Sequence, residues 1–260
     1  MKKAICYDSL PGKLGDREKA ALAKEAGLDA VELSQAGSMA EIERVAGIAR
    51  EAGLEIASLM CTKHWGSPLS STDESVRLKG VAGVTEALRQ AQAVQAGVVL
   101  VVPGVVTEDV SYKAAYALAR RSLEELLPVA EETGVIMALE NVWNRFLLSP
   151  LEMRDFIDSF GSPLVQAYFD VGNILAFGYP HHWIEALGKR IKRVHIKDFD
   201  ANTRQFVGLL QGSVDYPRVV AALRGVGYDG YLTAELSAYQ QYPEQFVRDT
   251  AAQLEAIVRS

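Results

Sequence analysis

Along the chain, short apolar runs rich in β-branched residues alternate with longer stretches in which apolar residues recur at i, i+3 and i+4. The short runs predict eight strands: AICYDS (4–9), DAVELS (29–34), EIASLMC (55–61), VVLVVPG (98–104), VIMALENV (135–142), VQAYFDVGN (165–173), KRVHIKDF (192–199) and GYLTAELS (230–237). Between them, REKAALAKEAG, MAEIERVAGIAREAG and RRSLEELLPVAEETG have the spacing of helices with one apolar face. These three end in Gly27, Gly53 and Gly134, where a left-handed cap is wanted, and each is followed by a strand. Apolar strands alternating with helices describe a parallel sheet covered on its outer face. Eight such units in 260 residues predict an α/β fold, a single (β/α)8 TIM barrel occupying 1–260 as a single domain. An open doubly wound sheet is the alternative, and it calls for a phosphate loop of the GxGxxG or GxxxxGK[ST] kind after the first strand. The segment there, DSLPGKLGD, matches neither pattern.

Composition narrows the partners more than the fold. Hydrophobic residues make up 49% and charged residues 23%, enough apolar material for a sizeable core. A formal charge of −6 provides no broad grip on a phosphate backbone, so a small molecule is expected and nucleic acid is not. Cys6 and Cys61 belong to no CxxC or similar cluster, which suggests neither a disulfide framework nor a zinc knuckle. The N-terminal MKKAICYDSLPG lacks the apolar length of a signal peptide, and the longest apolar run, interrupted by Pro103, is far short of a membrane span. A cytoplasmic protein without membrane contact is the expectation.

Four consecutive predicted strands end in a metal-competent side chain: Glu140 (MALEN), Asp170 (YFDVGN), His195 (RVHIKD) and Glu235 (TAELS). In a barrel all strands are parallel and active sites lie at their C-terminal ends, so these four side chains converge. A single strand-end carboxylate often caps the next helix, and a single histidine is often a hydrogen-bonded core residue. Three carboxylates brought together repel and raise one another's pKa, a conflict that a divalent cation removes. Three oxygen donors and one imidazole suit Mn2+ first, with Co2+, Mg2+ or Zn2+ as alternatives, and the lack of a thiolate argues against a closed structural zinc.

Other residues are candidates for substrate contact. Glu32 ends the second strand (AVELS) and can bind a substrate hydroxyl or cap the next helix. His64 and Trp65 lie in KHWGSPLSS, where a lid over the barrel mouth would sit. Lys197, two residues after His195, shares its strand face and can hold an anionic group or neutralise Asp198. Arg145 offers a planar fork for phosphate, against a solvent-facing role. His181 and His182 read as surface residues, and Trp143 and Trp183 as packing of the rim or a subunit interface or, equally, as substrate contacts.

The stretches ALENVWNRFLLSP, YFDVGNILAFG, RVHIKDFD, FVGLLQGSVDYP and LTAELS resemble the sugar-phosphate isomerase/epimerase group of the xylose-isomerase-like barrels, the L-ribulose-5-phosphate (L-xylulose-5-phosphate) 3-epimerase branch most closely. The resemblance spans the chain and is most specific in its second half. It implies Glu140, Asp170, His195 and Glu235 as metal ligands, and Glu140 and Glu235 as the acid/base pair that inverts C3 of a ketose through a metal-stabilised enediolate. It also implies a homo-oligomer, dimer or tetramer. In free-ketose 3-epimerases of the same superfamily a His stands three positions after the sixth-strand Asp, and an Arg six positions after the seventh-strand His. Here those positions hold Asn173 and Ala201. Asn173 is kept as a substrate-contact candidate, and the two departures favour a phosphorylated substrate. Rival readings are a free-ketose epimerase, an aldose–ketose isomerase, a polyol or inosose dehydratase, a DNA-repair endonuclease and a non-catalytic sugar-binding barrel. Four histidines in all and an acidic balance disfavour the endonuclease.

Overall fold

Eight parallel strands close on themselves in the computed structural model, which describes residues 1–260. They are β1 (Lys2–Cys6), β2 (Ala30–Ser34), β3 (Glu55–Met60), β4 (Val98–Val101), β5 (Ile136–Glu140), β6 (Val165–Asp170), β7 (Ile191–Ile196) and β10 (Tyr231–Ala234). β1 closes the barrel between β2 and β10. β8 (Asp198–Asp200) and β9 (Gln205–Val207) form a separate antiparallel ribbon after β7. The helices are α1 (Asp16–Glu25), α2 (Met39–Glu51), α3 (Glu74–Ala93), α4 (Tyr112–Thr133), α5 (Pro150–Asp158), α6 (Val171–Ile174), α7 (Pro180–Leu187), α8 (Tyr216–Gly225) and α9 (Pro243–Arg259). The (β/α)8 TIM barrel is therefore the fold, and no helix is long and apolar enough to cross a membrane.

Local chemistry explains the boundaries. Ser38, Asp73, Ser111 and Ser149 accept hydrogen bonds from first-turn N–H groups of α2, α3, α4 and α5. Gly27, Gly53 and Gly134 end their helices at φ of +91°, +83° and +66°, a region that costs other residues strain. Several strands are shorter than the sequence pattern predicts. The first stops at Cys6 and yields to a 3-10 turn over Tyr7–Ser9, and the sixth stops at Asp170, where the chain enters α6.

The main core lies between strands and helices, as one cluster of 61 buried residues. The barrel lumen is packed differently. Ala4, Ala30 and Ala57 form one small cluster and Val98, Leu100, Ala138 and Tyr168 another. Toward the C-terminal end, Cys6, Glu32, Ser58, Tyr168 and His195 make side-chain contacts across the lumen. This buried polar layer is the floor of the candidate site.

Candidate active site and metal centre

Each of the four strand-end side chains arrives by a different local device. Asp170 is both the last residue of β6 and the N-cap of α6. Its Oδ1 accepts the Asn173 N–H at 2.7 Å, while the buried Oδ2 makes no hydrogen bond and lies 3.1 Å from the Lys197 ammonium. The capping role and the site role thus divide between its two oxygens. Asn141 ties the ends of β5 and β6 together. It donates to the Asp170 carbonyl and accepts the Asp170 N–H, both at 2.8 Å, and its own carbonyl accepts from the Asn173 amide at 3.0 Å. Glu140, at the end of β5, is 6% exposed. Glu235 lies one residue beyond β10, its N–H donating to the Ile196 carbonyl at 3.1 Å.

His195 sits at the centre. Its Nδ1 is 3.0 Å from Glu140 Oε1, 3.5 Å from Glu235 Oε2 and 3.9 Å from Asp170 Oδ2, and its Nε2 is 2.8 Å from Glu32 Oε1. One donor atom from each of Glu140, Asp170, His195 and Glu235 lies within 4.8 Å of the others. Burial, followed by the charges of Glu235 and Asp170, pushes Glu140 up to about 7 despite the opposing pull of His195. Burial also raises Asp170, against the attraction of Lys197. For Glu235 burial works upward too, but His195 and Lys197 outweigh it and hold the group below its ordinary value. Crowded, desolvated carboxylates, one with a buried oxygen that makes no hydrogen bond and is met only by the Lys197 ammonium at 3.1 Å, fit a divalent cation, which would screen the repulsion. The mixed set of oxygen and imidazole donors suits Mn2+, Co2+ or Zn2+ and admits Mg2+.

A cavity of about 220 Å3 opens above this cluster, with Glu140, Glu235, His64, Trp65, Asn173 and Lys197 among the residues that line it. Trp143 and Phe206 form one wall, with ring centroids 4.8 Å apart, and the Trp143 indole donates to the Asn173 carbonyl at 2.9 Å. His64 is buried, stands edge-on to Trp65 and has no hydrogen-bond partner at Nδ1; desolvation pushes it down to about 4, so it is a neutral imidazole near pH 7. A larger cavity of about 630 Å3 shares Lys197 and Glu235 and extends to the loops around Gly208, Gln211 and Ser237.

Three expectations change. Glu32 does not face either cavity: it is 1% exposed and its oxygens are taken by His195, Ser58 and Tyr168. It stands two residues short of the end of β2, so it points into the closed lumen rather than at the rim. Arg145 is exposed, at φ +58°, and lines neither cavity. The Asn144 side chain donates to the Gly104 carbonyl at 2.7 Å and accepts the Phe146 N–H. Phe146 packs among Tyr112, Tyr116 and Phe156, which turns the residue between them outward. Lys197 does not neutralise Asp198. Its ammonium lies 3.1 Å from Asp170 Oδ2 and pairs with Glu235, whereas Asp198 accepts backbone N–H groups of Phe199, Gly212 and Val214. Asp198 and Gly212, both within the motif stretches, therefore shape the loop after β9. A Cβ at Gly212 would lie 2.3 Å from the Asp198 carboxylate.

The sequence profile of the xylose isomerase-like TIM barrel matches residues 20–257. The chain belongs to this family. L-ribulose-5-phosphate 3-epimerase UlaE of Escherichia coli O1:K1 / APEC is 27% identical over 234 residues, covering 84% of this chain and 81% of the relative. Among solved structures, a D-tagatose 3-epimerase-like protein superposes with a TM-score of 0.85 at 20% identity, over 100% of this chain and 97% of the other. The 3-keto-D-glucoside 4-epimerase YcjR of E. coli gives 0.83 at 21% identity, over 98% and 99%. At these identities the superpositions establish the xylose isomerase-like barrel as a fold.

Proposed function

We propose that this barrel is a carbohydrate isomerase, a metal-dependent 3-epimerase of a ketose phosphate of the L-ribulose 5-phosphate/L-xylulose 5-phosphate type. The carrying observation is that Glu140 and Glu235, from strands three apart around the rim, line one cavity beside the cluster they share with Asp170 and His195. Inverting a carbon next to a ketone needs a proton removed from one face and another delivered to the opposite face, a task for two positioned carboxyls. Glu140, Asp170, His195 and Glu235 would hold the cation. When bound, the cation supplies Lewis-acid stabilisation of the negative charge that develops on the substrate oxygens. Glu140 and Glu235 exchange the C3 proton, and the face of C3 presented to each decides which of them takes it. Asn141 and the Asp170 cap keep the ends of β5 and β6 in register beneath the sugar. Trp65, Trp143 and Phe206 offer apolar surface that excludes water from the reacting carbon. His64 offers a neutral imidazole to a substrate hydroxyl, and Asn173 and Lys197 offer donors at the same cavity.

The phosphorylated substrate draws on the relatives named L-ribulose-5-phosphate 3-epimerase. A free ketose is the second reading, and the charge of the cavities favours it. Lys197 is the one lysine or arginine lining either of them, and it is already paired with Asp170 and Glu235. The test compares kcat/KM for L-ribulose 5-phosphate and L-ribulose using metal-stripped and Mn2+-loaded protein, with the C3 epimer quantified by chromatography. Epimer formed only by the loaded protein supports the epimerase, and the preferred substrate decides between the two readings. No epimer from any ketose, with metal bound, overturns both.

A further inference from the structure

We propose that Glu32 is the positioning residue of the cation site: from inside the lumen it fixes His195 so that Nδ1 alone is presented to Glu140, Asp170 and Glu235. The inference rests on reading those four residues as a metal site. Glu32 reaches across the barrel from β2 to β7 and places Oε1 2.8 Å from His195 Nε2. A carboxylate only accepts, so the ring nitrogen facing it carries the proton. Nδ1, 3.0 Å from Glu140 and 3.5 Å from Glu235, also faces carboxylates in the metal-free protein; a cation held there would displace the Nδ1 proton, while Glu32 keeps the proton on Nε2.

The carboxylate is itself held. Oε2 accepts from the Ser58 hydroxyl and the Tyr168 phenol, and the Cys6 thiol lies 3.5 Å from Oε1. Cys6, Glu32 and His195 are also close enough together to hold an ion. Glu32 and His195 are buried there and Ser58 and Tyr168 occupy Glu32 from the other side, so that only the Cys6 edge of this group reaches the larger cavity. The Nδ1 side carries the exposed edge, with Glu235 one-third accessible at the cavity. A catalytic cation needs an open position, and this face, where two of the carboxylates line the cavity, provides one.

Outer groups that orient a metal-bound imidazole typically change metal affinity by about 10- to 100-fold when removed. The experiment is calorimetric titration of metal-free protein with Mn2+, comparing wild type with Glu32→Gln, which retains an acceptor oxygen, and Glu32→Leu, which has none. We expect Glu32→Leu to bind at least about tenfold more weakly and Glu32→Gln to recover part of that loss. A purely structural role would lower the melting temperature of both variants without changing the affinity of the folded protein, and that result overturns the proposal. Wild-type protein that binds no divalent cation removes the metal reading itself, and the proposal with it. Should the variants fail to fold, 15N correlation spectra of Zn2+-loaded wild type still decide. His195 protonated at Nε2 with metal at Nδ1 supports the proposal, and the reverse arrangement overturns it.

Discussion

In the proposed reaction Glu140 and Glu235 serve both as ligands and as the proton-transfer pair. Replacing either by Gln preserves an oxygen donor while removing the proton-transfer group. Turnover of Glu140→Gln or Glu235→Gln is expected to fall by on the order of 10² to 10⁴ with Mn2+ still retained, as checked by metal analysis of the purified variants. A variant that holds metal and keeps wild-type turnover would remove that residue from the reaction. Glu140 also makes the metal effect depend on pH. Its folded pKa of about 7 exceeds the ordinary 4.5, first because of burial. The folded metal-free protein therefore keeps a proton that the unfolded chain has lost. The resulting stability is complete below the ordinary value and disappears as pH rises through about 7. Cation binding displaces that proton, so Mn2+ should raise the melting temperature more at about pH 8 than at about pH 5.5. An equal shift at both pH values would contradict this assignment. At the residue scale, the convergence of Asp170 and His195 was legible because each stands at the end of an apolar run. The role of Glu32 was not: AVELS has the same appearance, and only the register places its carboxylate two residues below the rim.

The elements deliver these groups through turns whose tightness can be tested. At the junction of β6 and α6, a Cβ on Gly172 would meet Lys197 Cγ at 2.5 Å and the Lys197 carbonyl oxygen at 2.7 Å. The carbonyl cannot swing away as a side chain can, so Gly172→Ala pushes β7 from α6 and shifts Asp170 relative to Lys197. Overpacking of this kind costs roughly 1–3 kcal/mol, and we expect weaker Mn2+ binding with it. Gly47, within α2 and with open space at its Cβ position, is the control, where alanine should stabilise by roughly 0.5–1 kcal/mol. Urea unfolding measures both changes, and equal effects would contradict the close-approach argument. Strand order and helix caps could be read because periodicity and glycine placement are local signals. The outward turn of Arg145 could not, since it depends on Phe146 finding its aromatic neighbours on α4 and α5 and on Asn144 reaching the Gly104 carbonyl. The β8–β9 ribbon was likewise invisible, merged in the sequence pattern with the seventh strand, because its pairing is set by Asp198 gathering distant N–H groups.

Across the whole molecule, stability and chemistry are expected to be separable. Arg77 is fully buried between α3 and α4, where it pairs with Glu74 and Glu125 and donates to Ser122 at 2.9 Å. Arg77→Leu strips hydrogen bonds to a charged group and should cost roughly 2 kcal/mol in urea unfolding, leaving Mn2+ affinity unchanged. A change in affinity would mean that the helical layer and the barrel mouth are coupled. The closed barrel brings the ends of β5, β6, β7 and β10 to one point although they are separated along the chain, and for this reason four separate strand endings could be read as one site. The central claim is that this site exchanges the C3 proton of a ketose. The most direct measurement incubates Mn2+-loaded protein and Glu140→Gln with ketoses and ketose 5-phosphates in D2O, removes the metal and locates deuterium by NMR. Label at C3 with wild type alone is the expected result. Label at C1 would make the protein an aldose–ketose isomerase, and no label in any sugar with metal bound would contradict the proton-transfer role of the pair.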